Sequence, residues 1–314
     1  MLTGEGRIII APPQPGAQPC AYNERTTWHD PEMAAEPHAI PDAARCGGKA
    51  QRADAWHWRL VATGLCFVLF GLGAILVGTM WIPLATRLAG RRGDPRMRAR
   101  AAIRRGMRCF VEAMRVLGVL TYEVRGVERL GRPGQLVLAN HPSLIDAVFL
   151  LAFVPNAACI VKQALCRHPV TRAAVRAAGF IGNEPTAEMI ERAAAALAAG
   201  ECLIMFPEGT RSVPDAPLAF QRGAANIALR AAAVVTPVYI RCAPTTLTKA
   251  EPWYRIPPRR VRFSLEVGED IDPRPHREGA GGGVLPLPIA SRAFNAHLRE
   301  RFRQALGPPV APLR

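Results

Sequence analysis

The longest apolar run of the chain extends over Leu60–Thr86 and contains no charged side chain. As an α-helix it would be about 40 Å long, at about 1.5 Å per residue, enough to cross a hydrocarbon core of about 30 Å. Trp56, Trp58 and Trp81 lie towards its ends, where indole rings favour the membrane interface. The pattern predicts a membrane-anchoring helix rather than a core helix. Its glycines and Pro83 leave open whether it spans the bilayer or dips into one leaflet.

Basic side chains follow this run directly. Nine arginines lie between Arg87 and Arg108, against one acidic residue, Asp94. Apolar positions recur at helical spacing from Asp94 to Leu120, which predicts a basic amphipathic helix lying on the membrane surface. The arginine excess places the rest of the chain on the cytoplasmic side of the cell inner membrane by the positive-inside rule.

From residue 121 onwards short apolar strands alternate with helical runs, which is typical of one α/β domain with a mainly parallel sheet and flanking helices. Residues 1–54, rich in Pro, Ala and Gly, predict a disordered tail without an assigned function. The organisation is therefore a tail (1–54), an anchor with a basic helix (55–120) and a catalytic domain (121–314). The predicted strands are Gln135–Ala139, Ala158–Val161, Cys202–Phe206, Val234–Ile240 and Val261–Val267; the predicted helices are Ser143–Phe153, Cys166–Ala178, Thr186–Ala199, Gln221–Ala233 and Ser291–Ala305.

The charge balance indicates a phosphate-rich partner. The 314 residues include 40 Lys+Arg and 25 Asp+Glu, for a net charge of +15, and only Lys49, Lys162 and Lys249 are lysines. Guanidinium groups pair with phosphate in a fixed bidentate geometry. No nucleic-acid-binding motif accompanies the arginines, which favours anionic lipid headgroups over nucleic acid. The eight cysteines have no metal-ligand spacing, so we expect no metal site. We also expect no cofactor.

The segment NHPSLID, residues 140–146, lies where a predicted strand ends and a helix begins. Pro142 suits the first turn of a helix. This places Asp146 about one helical turn beyond His141, so that the carboxylate accepts a hydrogen bond from one imidazole nitrogen. The other nitrogen is then available to take a proton, as a general base requires. By itself the motif fits a structural His–Asp hydrogen bond equally well.

The segment FPEGTRS, residues 206–212, follows a second apolar strand. A glycine-containing turn with a carboxylate, a hydroxyl and a guanidinium suits a polar substrate at a sheet edge. Arg211 is able to hold a phosphate bidentately. Taken alone, the segment also fits a surface ion pair between Glu208 and Arg211.

Together these motifs resemble the 1-acylglycerol-3-phosphate acyltransferase family. His-x4-Asp, FPEGTR and VTPV (residues 235–238) match its first, third and fourth blocks in order. GFIGN (residues 179–183) takes the place of the second block, and FQRG (residues 220–223) matches the turn after the third. The resemblance covers roughly residues 100 to 265.

The resemblance implies transfer of a fatty acyl group from a thioester, on acyl carrier protein or coenzyme A, to the free hydroxyl of a lyso-lipid in the membrane. It implies that His141 is the general base and that Asp146 orients it. It also implies an acceptor site lined by Glu208, Gly209, Thr210, Arg211, Asn183 and Arg222. None of the four serines lies in Gly-x-Ser-x-Gly, which independently favours direct transfer without an acyl-serine.

Asn183 departs from the family pattern, because the second block commonly ends in an arginine that contacts the acceptor phosphate. Phosphate binding would then depend on Arg211 and Arg222. The expected acceptor is 1-acylglycerol-3-phosphate, with phosphatidate as product. The alternatives are a phosphate-free acceptor, such as a lyso-ornithine lipid or a specialised lipid conjugate, and a non-catalytic scaffold that binds anionic lipid. His141 and Asp146 argue against the scaffold, which would not need them.

Overall fold

The computed structural model describes residues 55–81, 84, 94–184, 186–213, 216–249, 251–278 and 283–307. The tail predicted for residues 1–54 lies outside the described residues. So do Arg87, Arg91 and Arg92 of the basic block that follows the apolar run.

Seven strands form one sheet in the order β1-β7-β6-β2-β5-β3-β4. All neighbouring pairs are parallel except β6 and β7, which pair antiparallel. The predicted mainly parallel α/β fold is therefore confirmed. The strands are β1 (Leu120–Arg125), β2 (Gln135–Ala139), β3 (Ala157–Val161), β4 (Ile181–Gly182), β5 (Cys202–Met205), β6 (Val234–Ala243) and β7 (Val261–Val267).

Helices cover both faces of the sheet. Successive residues of β2 point to opposite sides: Val137 and Ala139 pack into one apolar cluster, and Leu136 and Leu138 into the other. Because β2 is buried on both faces, it reads as a continuous apolar run. The helices are α1 (Trp56–Leu76), α2 (Pro95–Val116), α3 (Asp146–Phe153), α4 (Gln163–Arg167), α5 (Arg172–Ala177), α6 (Ala187–Ala198), α7 (Arg222–Ala231) and α8 (Leu287–Leu306).

Several predicted boundaries were wrong. The helix expected over Cys166–Ala178 is broken between α4 and α5, where Pro169 can neither donate a backbone hydrogen bond nor continue the helix. The helix expected from Ser143 begins at Asp146. Strand β1 was missed because its first residue, Leu120, was assigned to the preceding helix. Strand β4, of two residues, was also missed.

Helix α1 packs lengthwise and antiparallel against α2. The indole of Trp58 donates to the carbonyl of Leu117 at 2.9 Å, and the rings of Phe70 and Phe110 lie 5.2 Å apart. The buried guanidinium of Arg59 donates to the carbonyls of residues 257, 258 and 259 at distances from 2.6 to 3.1 Å. The apolar helix is therefore attached along its side to the rest of the fold.

Helix α2 in turn packs against α3 and β1. Arg100, which is buried, donates through Nε to the carbonyl of Ala178 at 2.8 Å and forms an ion pair with Glu201. One face of this arginine-rich helix therefore packs into the α/β fold, across the boundary expected at residue 120.

Candidate active site

The two predicted motifs meet at the carboxyl edge of the parallel strands. β2 and β5 are neighbours, with Leu138 opposite Met205, and the chain continues from them into His141 and Glu208. The backbone N–H of His141 donates to Oε1 of Glu208 at 2.9 Å. The two motifs are therefore in direct contact in the structure, which the sequence analysis did not predict.

His141 and Asp146 form the expected pair. Nδ1 of His141 lies 2.8 Å from Oδ2 of Asp146, and the backbone N–H of Ser143 donates to the same oxygen at 2.7 Å. With the carboxylate accepting from Nδ1–H, the imidazole holds the tautomer in which Nε2 carries a lone pair. The His141 side chain is 17% exposed, so a substrate can approach this ring, whereas Asp146 is fully buried.

Burial raises the pKa of Asp146 to about 6, against the hydrogen bonds from His141 and Ser143, which lower it. Its second oxygen, Oδ1, is buried and has no hydrogen-bond partner among the described residues. A carboxylate in such a dry position interacts strongly with a neighbouring cation. It is suited to stabilise an imidazolium at His141.

Two further contacts hold the His141 turn in place. The ring of Phe206 stacks on the imidazole, with centroids 4.0 Å apart and an interplanar angle of 19°. The buried side chain of Asn140 forms two hydrogen bonds of 2.8 Å with the backbone of Ile240, one to the carbonyl and one from the N–H. Sequence reasoning missed the part of Asn140, because its partner lies 100 residues further along the chain.

The residues of the FPEGTR turn differ in their exposure to solvent. Glu208 is buried, and its Oε1 accepts from both His141 and the hydroxyl of Ser212, at 2.9 Å each. Burial raises the pKa of Glu208, partly offset by these donors. Gly209 has a φ of +69°, which favours glycine, and Gly209 and Thr210 are exposed.

Arg211 is attached to the loop that follows β6. Its Nη1 donates to the carbonyls of Leu247 and Thr248, at 2.7 and 2.9 Å. Within the described part of the chain, Nε and Nη2 have no hydrogen-bond partner, so one edge of the guanidinium remains available for an anion. The same loop contacts the His141 turn, because the hydroxyl of Ser143 donates to the carbonyl of Thr246 at 3.0 Å.

Two other predicted acceptor residues lie on other elements of the fold. Oδ1 of Asn183 accepts from the backbone N–H of Gln163 at 3.1 Å, so this side chain links the end of β4 to the start of α4. Arg222 is exposed at the first position of α7. The position of Lys162 was missed: this exposed lysine directly follows β3, at the same edge as His141, and the rarity of lysine in the chain could have drawn attention to it.

Over the described residues, no group of three or more His, Cys, Asp or Glu side chains is placed to hold a metal ion.

Comparisons with known proteins agree on one class. Residues 121–241 match the acyltransferase family model. A 1-acyl-sn-glycerol-3-phosphate acyltransferase of Pseudomonas aeruginosa is 26% identical over 184 residues, which are 57% of this chain and 70% of that protein. The enzyme of the same name from Saccharomyces cerevisiae is 28% identical over 159 residues, 48% of this chain, and the match spans about half, 51%, of the yeast protein.

A solved structure shares the fold. The crystal structure of the 1-acyl-sn-glycerophosphate acyltransferase of Thermotoga maritima superimposes with a TM-score of 0.56 at 23% identity, covering 78% of this chain and 98% of that one. This structure supports the fold, and the family match over residues 121–241 indicates an acyltransferase domain. Over residues 121–241 the chain is thus similar to the acyltransferase family, and the two relatives named above are 1-acyl-sn-glycerol-3-phosphate acyltransferases.

Proposed function

We propose that this protein transfers a fatty acyl group from a thioester, on acyl carrier protein or coenzyme A, to the free hydroxyl of 1-acylglycerol-3-phosphate, giving phosphatidate. The observation that carries the proposal is the pair formed by His141 and buried Asp146, 2.8 Å apart, on a ring that substrate can approach. The names of the relatives support the acceptor.

His141 is the general base in this proposal. Nε2 takes the proton of the acceptor hydroxyl while the hydroxyl oxygen attacks the carbonyl carbon of the thioester. The tetrahedral intermediate collapses, the C–S bond breaks, and the proton on the imidazolium passes to the departing thiolate. An ester and a thiol are the products, and Asp146 stabilises the imidazolium in between.

The acceptor phosphate needs cations at the same edge. Arg211 has a guanidinium edge without a described protein partner, and Lys162 lies at the end of the strand next to β5. We assign the phosphate to these two groups, with Arg222 at the rim. Asn183 then replaces the arginine of the family pattern as a neutral link to the N–H of Gln163.

Arg211→Lys should raise the KM for 1-acylglycerol-3-phosphate by about tenfold or more, because an ammonium bonded to the loop carbonyls no longer offers phosphate a bidentate edge. The KM for a phosphate-free monoacylglycerol should stay within about twofold. Initial rates with both acceptors measure the effect. Arg230→Lys is the matched control, because Arg230 is an exposed arginine on the last turn of α7. Equal KM changes for both acceptors would point to a phosphate-free acceptor as the natural one.

We further propose that α1 attaches the protein to the cytoplasmic face of the inner membrane by lying in one leaflet. A helix crossing the bilayer would carry the adjoining α2 and its Arg98, Arg104, Arg105 and Arg108 into hydrocarbon, at about 2.5–3.5 kcal/mol for each arginine near the centre. The outward side of α1 is instead an exposed apolar stripe that continues into Trp253, whose ring lies 5.5 Å from that of Phe67. The stripe comprises Val61, Leu65, Val68, Leu72, Ile75 and Leu76.

The double variant Val68→Asp/Leu72→Asp should move a large share of the protein from the membrane pellet to the supernatant, because two carboxylates in the stripe oppose its insertion. The unsubstituted protein should remain in the pellet after washes with high salt or carbonate. Sedimentation followed by immunoblotting measures both. Ile289→Asp, an equally exposed apolar position on α8, is the control and should pellet normally. Pelleting of the double variant like the parent would contradict the assignment of the stripe.

A further inference from the structure

The backbone of His141 is held at two points by the FPEGTRS turn. Its N–H donates to Oε1 of Glu208 at 2.9 Å, and its carbonyl accepts from the N–H of Ser212 at 2.7 Å. The hydroxyl of Ser212 donates to the same Oε1 at 2.9 Å. One carboxylate oxygen therefore joins the turn that carries the base to the turn that follows β5.

The burial of Glu208 argues against direct contact between its side chain and the acceptor. The residue is 8% exposed, its bonded oxygen faces the protein, and an ionised carboxylate would repel a phosphate rather than bind it. Arg211 and Lys162 are the groups with suitable charge at this edge. The family resemblance alone, which assigned Glu208 to the acceptor site, does not separate a ligand from a support of the base.

We infer that Glu208 and Ser212 are positioning residues for His141, and that Glu208 acts through the backbone N–H of His141 rather than by contacting the acceptor. This inference rests on the proposed function, in which His141 is the base. Phe206 and Asp146 fix the imidazole ring, while Glu208 and Ser212 fix the backbone that bears it. Catalysis depends on this placement, because a shift of about 1 Å at a reacting group lowers rates by about 100-fold.

The test compares Glu208→Ala with Glu208→Gln. An amide oxygen accepts the same two hydrogen bonds as Oε1, so the kcat of Glu208→Gln should be at least about tenfold higher than that of Glu208→Ala. For Glu208→Ala we expect kcat to fall by about 100-fold, with the KM for 1-acylglycerol-3-phosphate within about twofold of the parent value. Glutamine as defective as alanine, or a tenfold higher KM with kcat retained, would overturn the inference.

Ser212→Ala should lower kcat by a smaller factor, and adding it to Glu208→Ala should cause little further loss, because the hydroxyl acts through Glu208. Additive losses in the double variant would contradict this coupling. Ser291→Ala is the control. Ser291 is a buried serine on α8 whose hydroxyl donates to the backbone carbonyl of Pro288, away from His141. It should change kcat little.

A spectroscopic readout separates this inference from the proposed function. The Nδ1–H proton of His141, bonded to a buried carboxylate, should give a low-field resonance in protein labelled with ¹⁵N-histidine, assigned by its loss in His141→Ala. We expect the resonance to broaden or shift in Glu208→Ala and to return in Glu208→Gln. An unchanged resonance in Glu208→Ala would overturn the positioning role even if the parent protein transferred no acyl group to the lysophospholipid.

Discussion

Replacing His141 with alanine should lower kcat by about 10²–10⁴-fold, the usual contribution of a general base. Nδ1 of His141 is bonded to Asp146, so Nε2 is the nitrogen with a free lone pair that can accept the proton. Asp146 is fully buried and cannot take over this step. Binding of the acceptor should persist, because the cations assigned to the phosphate remain. The KM for 1-acylglycerol-3-phosphate should therefore change much less than kcat.

His297→Ala is a suitable control for this experiment. His297 is exposed on α8 and its ring contacts His276 and Phe294, on the opposite face of the sheet from α3. Thermal unfolding of both variants verifies that the fold is intact. A folded His141→Ala protein with near-normal turnover would remove the base from the mechanism.

Asp146→Asn should also lower kcat by at least about 10²-fold, since an amide can donate to Nδ1 and stabilise the tautomer whose Nε2 is protonated. The free energy of unfolding, in contrast, should stay the same or increase. Burial destabilises the carboxylate and raises its pKa to about 6, so a neutral amide of the same shape should be tolerated or should stabilise the fold.

The pH dependence follows from the same shift. Because the folded-state pKa of Asp146 lies above its ordinary value of 3.8, the folded state binds this proton more tightly than the unfolded state. The contribution of Asp146 to stability is then largest below about pH 4 and is lost as the pH rises through about 6. Thermal unfolding between pH 4 and 7 should show this decline in the parent protein and not in Asp146→Asn.

The activity of the parent should have the opposite pH dependence: kcat should fall below about pH 6, because the carboxylate of Asp146 is then protonated. Identical pH profiles for the two proteins, in both stability and turnover, would contradict the assignment.

The sequence predicted the elements that carry the candidate site residues because their signals are local. An apolar strand followed by NHPSLID or by FPEGTRS marks a strand end, and parallel strands bring such ends to one edge. The pairing of His141 with Asp146 was expected from helical spacing, but residues 141–145 form a turn before α3, and the pair closes across that turn. Strand β1 also had a local signal, its alternation from Leu120 to Arg125, but it adjoins α2 so closely that the boundary was misplaced.

Contacts between distant segments could not be predicted in this way. The bonds from Asn140 to Ile240 and from Arg211 to the carbonyls of Leu247 and Thr248 join side chains to backbone groups, which have no signature in the sequence. The hydrogen bond from His141 to Glu208 is of the same kind. The positioning role that we infer for Glu208 therefore depends on a partner that residue types do not reveal.

The apolar run shows the same limit. Its length and composition fit a bilayer span or a helix in one leaflet equally well. The difference lies in what packs against it: the buried Arg59 contacts carbonyls about 200 residues away, and α2 runs along its side. Hydropathy alone contains neither fact.

The most direct test of the proposed reaction is a competition between two acceptors. Purified full-length protein is given an acyl carrier protein or coenzyme A thioester with equal amounts of 1-acylglycerol-3-phosphate and a phosphate-free monoacylglycerol, and the products are quantified by mass spectrometry. We expect phosphatidate to exceed diacylglycerol by about tenfold or more, the discrimination that a charge-assisted bidentate contact supplies, and to disappear in His141→Ala. Diacylglycerol in equal or greater amount, or free fatty acid without any new ester, would contradict the account.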